Sequence, residues 1–121
     1  MNEIEKELRK CEQALYDMQS KYSGLASKAA NARYVYDQAW AEAINEIAHR
    51  AVVDGKKPPT VAASEAEATL AVADEMREAR YAEADLDAAK KHLDTLQAIL
   101  SSVQTRARLI QIEASLGGLH P

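Results

Sequence analysis

Residues 86–116 read LDAAKKHLDTLQAILSSVQTRARLIQIEASL, and the spacing of their apolar side chains decides the fold. Leu86, Leu93, Leu100, Ala107 and Ala114 recur every seven residues. Ala89, Leu96, Val103 and Ile110 fall three places after each of the first four. Alternating steps of three and four place one stripe along a helix, the pattern of a coiled-coil seam. Ile99, Leu109, Ile112 and Leu116 lie off that stripe. The end of this helix therefore carries more apolar surface than one partner helix covers, and these four residues are the expected oligomerisation contacts.

The first half of the chain shows the same period. Leu8, Leu15, Tyr22, Ala29, Tyr36 and Ala43 form one seven-residue series, and Ile4, Cys11, Met18, Leu25, Ala32 and Ala39 form the other. No proline interrupts residues 2–53, so the pattern predicts one long helix there. Gly24 sits inside it, at a cost of about 1 kcal/mol relative to alanine. Past Ala43 the stripe shifts to Ile44, Ile47, Ala48 and Ala51.

Asp54-Gly55-Lys56-Lys57-Pro58-Pro59 ends the helix, since glycine permits a stop and Pro-Pro cannot continue it. A loop over 54–60 and a second helix over 64–116 follow. Its start lies at Thr60 or at Ser64, where Ser64-Glu65-Ala66-Glu67 has capping-box spacing, and Gly117-Gly118 ends it ahead of a short tail, 117–121. Helix 1 is large-residue at its start and alanine-rich near the loop. Helix 2 is alanine-rich near the loop (Ala66, Ala79, Ala82, Ala89) and leucine-rich at its end. Antiparallel pairing matches alanine with alanine and leucine with leucine. The expectation is an all-α fold: a single domain over 1–121, a long antiparallel helical hairpin with a coiled-coil seam, about 75 Å long at 1.5 Å per residue. Two helices bury little over such a length, so a homo-oligomer is expected.

Composition narrows the function. Apolar residues make up 47% of the chain, yet it has no Phe and one Trp, which suits thin helical packing. The net charge of −4 excludes attraction of the whole protein to nucleic acid and leaves room only for a local basic patch. No apolar run reaches transmembrane length, and the single cysteine forms no internal disulfide. These features place the chain in the cytoplasm, away from any membrane.

No residue set suggests catalysis, a metal or a cofactor. Cys11 occupies a seam position and reads as a small buried hydrophobe; His49, His92 and His120 are far apart and lack metal-ligand spacing. Glu83, Asp85 and Asp87 point to different faces of a helix, and no phosphate loop, Ser-His-Asp set or HExxH motif occurs. The chain does not read as an enzyme. Tyr34, Tyr36 and Trp40 lie near Lys28 and Arg33, and Tyr16, Tyr22 and Lys21 precede them; rings among cations suit single-stranded nucleic acid. Tyr22 and Tyr36 also fit the seam, so packing accounts for them equally. Arg50, Lys56 and Lys57, beside the loop, are stronger candidates. Arg106 and Arg108 either contact phosphate or complement the helix dipole.

The run from His92 to Ile110, with Leu93-Asp94, Leu100, Ser102-Val103, Thr105-Arg106 and Ile110, resembles the C-terminal helix of the UvsY-type recombination mediators of tailed phages. A weaker likeness covers Arg50 and the Gly55 turn, where that family carries bases; Ala48 stands where it carries a Lys. The resemblance implies a ring-like homo-oligomer in the host cytoplasm that binds single-stranded DNA. Such a mediator helps a RecA-like recombinase displace single-strand-binding protein. It also implies assembly through the C-terminal helices. The other reading left open by the residues is a protein-only coiled-coil adaptor, scaffold or small inhibitor that offers its acidic face to a basic partner.

Overall fold

The computed structural model describes residues 2–118. It is all-helical, with α1 at Glu3–Val53, α2 at Val61–Ala71 and α3 at Ala73–Gly118. The tail beyond Gly118, His120 included, lies outside the described residues. Contacts group the chain into two compact units: residues up to Gly24 with those from Asp87 onward, and Leu25–Leu86.

Both ends of α1 and the start of α2 are closed by side chains or backbone that the sequence supplies. Asn2 Oδ1 accepts from the Glu5 amide at 2.8 Å, satisfying one free N–H at the start of α1. At the other end the Lys56 amide donates to Ala51 O and the Gly55 amide to Val52 O, with Gly55 at φ 65°. That pair of bonds is a Schellman closure, and the left-handed φ explains why glycine stands at position 55.

Helix 2 starts earlier than the capping-box reading places it. Thr60, not Ser64, is the N-cap: its Oγ1 accepts from the Ala63 amide at 3.1 Å, directly after the two prolines. The predicted helix over 64–116 is also interrupted, because Val72 adopts φ −109°, ψ 22° and separates α2 from α3. Hydrogen bonding persists through this point, from Val72 N–H to Ala68 O and from Met76 N–H to Val72 O. Past the other end of the prediction, Gly117 and Gly118 complete α3.

In the Leu25–Leu86 unit the core is built from small side chains. Ala29, Ala43, Ile47, Ala51, Ala68, Val72, Ala79 and Ala82 are buried, with Tyr36, Ala39, Trp40 and Ile44 packed at the margin of the Ala43–Ile47–Ala68–Val72 cluster. Ala68 is fully buried, and alanine at such a point lets two helix backbones approach closely. The predicted stripe past Ala43 holds at Ile44, Ile47 and Ala51, whereas Ala48 is exposed. Ala66 is exposed too; Ala68, two positions along, is the buried residue of α2, followed by buried Val72 at its C-cap.

In the other unit Met18, Ala89 and Val103 are buried, and Leu8, Cys11, Leu15, Leu93, Leu96, Leu100 and Ala107 are half-buried. A pairing of two helices has one buried layer, so its leucines keep an edge in water. The predicted seam fails only at its last positions, where Ile110 and Ala114 are exposed. Arg106 Nη2 lies 3.0 Å from Glu7 Oε1, which fixes the register. α1 begins one turn before Glu7, while α3 continues about three turns past Arg106, so among the described residues the end of α3 has no helix opposite it.

A Cβ built at Gly24 meets nothing within 4 Å, and the glycine sits inside α1. Gly24→Ala should therefore raise stability by about 1 kcal/mol. Ala68→Leu should lower it by about 1–3 kcal/mol through overpacking, whereas Ala63→Leu, at an exposed position of the same helix, should leave it nearly unchanged. Urea unfolding followed by circular dichroism measures all three.

Candidate nucleic-acid interface

Three of the five cations expected to meet nucleic acid already have carboxylates beside them. Arg50 lies on the last turn of α1 and its guanidinium is bonded to Glu67 of α2. That hydrogen bond, with the charges of Glu67, Glu46 and Asp54, raises the Arg50 pKa above its ordinary value, so the group is always cationic but its charge is matched. Arg33 is 3.3 Å from Asp37 and 3.9 Å from Glu83, and its guanidinium lies 5.4 Å from the centroid of the Tyr36 ring. Lys28 lines a groove of about 370 Å³ with Asn31, Ala32, Val35, Asp74, Glu75 and Glu78. Three acids against one base make that groove negative, an unfavourable site for phosphate.

Lys56 and Lys57 differ. Both are exposed in the loop after Gly55, and neither has an ion pair among the described residues. Their side chains are available to an external anion without breaking a contact. Exposed Val52, Val53 and Val61 lie close in sequence on either side, so apolar surface is present near the two charges. Lys28 lies about 33 Å along α1 from Arg50, at 1.5 Å per residue, and is not part of the same site.

The aromatics divide between packing and exposure. Tyr36 and Trp40 are half-buried against the alanine cluster, and Trp40 also lines a groove of about 330 Å³ with Ile44, Pro59, Val61, Ser64 and Glu65. Tyr22 is half-buried, consistent with its seam position. Tyr34 and Tyr16 are exposed, at 60% and 69%, and the Tyr34 hydroxyl accepts from Gln38 Nε2 at 2.8 Å. Lys21 is exposed. Of the C-terminal cations, Arg106 is held by Glu7 and Arg108 has no ion pair among the described residues.

The chemistry set aside by the sequence takes the following positions. Cys11 is a half-buried free thiol on the seam; His49 and His92 are exposed. Glu83 turns toward Arg33, and Asp85 and Asp87 are exposed. No group of three or more His, Cys, Asp or Glu side chains suited to a metal ion occurs among the described residues. Among them, too, no helix is long and apolar enough to cross a membrane.

Two features escaped the sequence reading: the bond of Glu67 to Arg50 and the acidic groove beside Lys28. Both pair α1 with the helices after the loop. The antiparallel register, applied position by position outward from Gly55, contains the signal for each.

Comparison with protein-family models, with curated proteins and with solved structures returns no match.

Arg33 and its two acids are more than half exposed, so water screens the pairs. Arg33→Ala should change the midpoint of thermal unfolding by no more than a few degrees, read by circular dichroism. A large drop would mean that the Tyr36 ring depends on the guanidinium stacked near it.

Proposed function

We propose that this chain is a single-stranded-DNA-binding homo-oligomer of the recombination-mediator type, which helps load a RecA-like recombinase onto DNA covered by single-strand-binding protein. The observation that carries the DNA half is the two exposed lysines, Lys56 and Lys57, in the loop close in sequence to Arg50 and without an ion pair among the described residues. The resemblance of His92–Ile110 to the UvsY-type C-terminal helix supports the mediator half. Assembly is supported by the exposure of Ile99, Leu109, Ile112 and Leu116, at 46–54%.

A single loop with two free lysines binds DNA weakly. Several loops on one oligomer engage one strand together, and their combined affinity exceeds that of any one by the effective concentration of linked sites. An acidic subunit can act on DNA in this way, because only the loops meet the strand. Arg50 contributes by exchanging Glu67 for phosphate, at the cost of breaking an existing pair.

A second reading, a protein-only adaptor or small inhibitor, is favoured by the groove of Asp74, Glu75 and Glu78 over Ala32 and Val35. Acids above an apolar floor fit a basic amphipathic helix.

Fluorescence anisotropy with a labelled single-stranded oligonucleotide separates the two. Salt-sensitive binding is expected, and the combined substitution Arg50→Ala, Lys56→Ala, Lys57→Ala should weaken it about tenfold or more while leaving the oligomer mass unchanged. Glu67→Gln should strengthen binding by releasing Arg50. No binding at low micromolar protein and low salt would remove the DNA reading in favour of the adaptor.

A further inference from the structure

The last turns of α3 carry a second heptad stripe, separate from the one that packs within the chain. Ser102, Thr105, Leu109, Ile112 and Leu116 follow one another in steps of three and four, and all are exposed. At 100° per residue, Leu109, Ile112 and Leu116 centre about 180° around the helix from the buried side defined by Leu96, Leu100, Val103 and Ala107. Leu109 is 54% exposed, Ile112 49% and Leu116 54%. Part of this stripe lies in the stretch past Arg106 where α3 outruns α1, so a second helix has open access to it.

The charges beside the stripe say what covers it. With Leu109 and Leu116 as first core positions and Ile112 as second, Arg108 immediately precedes a core leucine and Glu113 immediately follows the core isoleucine. In a parallel, in-register pair of helices, these two flanking positions, five residues apart, meet across the interface. Arg108 and Glu113 are exposed, and neither has an ion pair among the described residues. An antiparallel pairing of the same stripe sets Glu113 nearest Arg106 of the other copy, and Arg106 is already held by Glu7.

We propose that two copies of this chain associate in parallel and in register through the α3 face of Thr105, Leu109, Ile112 and Leu116, with Arg108 of each copy paired to the partner's Glu113. The inference rests on the homo-oligomeric half of the proposed function and is independent of DNA. Leucine at the first core position and isoleucine at the second favour more than two strands, so this pair is the unit repeated around a larger parallel bundle, with each adjacent pair of copies joined by the Arg108–Glu113 contact.

Sedimentation equilibrium on the full chain tests it. Arg108→Glu alone and Glu113→Arg alone should each weaken self-association about tenfold, since two attractions become two repulsions. Mixing the two variants should restore it, because each supplies the charge the other needs. Orientation is read in a Cys11→Ser background. Ile112→Cys alone should form a disulfide between copies on mild oxidation, and a mixture of Leu109→Cys and Ile112→Cys should give no preferential cross-product. Ile112→Asp, at a position exposed within the chain, should abolish association while leaving helicity intact.

A wild-type monomer at hundreds of micromolar would overturn both the pairing and the homo-oligomeric reading. An oligomer indifferent to the charge exchange, or one that links position 109 to position 112, would overturn the parallel pairing alone.

Discussion

Everything in this structure follows from a constraint on two-helix packing: only one stripe of each helix can be buried, and the side chains on it set how close the backbones come. In the Leu25–Leu86 unit that stripe is largely alanine, with Ala68 fully buried and Ile47 and Val72 as the main larger side chains. Small side chains bring helices close but remove little apolar area each, so the unit gains much of its hydrophobic burial from a few residues. The bulky rings of Tyr36 and Trp40 cannot enter so narrow a seam and pack along its margin.

The same constraint explains why the surface is crowded with charge. A thin seam leaves most positions of each helix in water, and acids and bases occupy many of them, some in ion pairs. Arg50 with Glu67, Arg33 with Glu83, and Arg106 with Glu7 each join α1 to a later helix. Exposed pairs of this kind contribute little to stability, but they penalise a shifted register, which would set like charges together. Their functional consequence is to engage Arg33, Arg50 and Arg106, which are then not free to meet another molecule. Residues 1–60 carry nine bases against nine acids, and in the loop Lys56 and Lys57 are the cations without an ion pair among the described residues.

Each of the two units leaves one stretch open, for a different reason. At the loop, Pro58 and Pro59 force a break, and the closure at Gly55 directs the lysines into solvent. In the unit that holds Glu7 and Arg106, α3 runs on past the start of α1, so Ile110 and Ala114 keep the heptad pattern but are exposed. Lys56, Lys57 and the exposed end of α3 can meet other molecules without breaking a contact within the chain, whereas Arg50 must first release Glu67.

Amino-acid order alone determined the helices, the break between them and the identity of nearly every seam residue. Those depend on local spacing, on proline geometry and on one glycine at positive φ. The seam positions from Ile4 to Ala43 and from Leu86 to Ala107 all face the packed side. Tertiary structure decided the rest. Thr60 rather than Ser64 caps the second helix because the choice between two adequate caps depends on how the chain leaves the prolines. Val72 interrupts the helix, although its neighbours on both sides have ordinary helical composition. Above all, the partners of the charged residues follow from register, a relation between residues as far apart as Glu7 and Arg106. Periodicity says which face of a helix is buried; only the packed structure says which charge on the exposed faces stands opposite which.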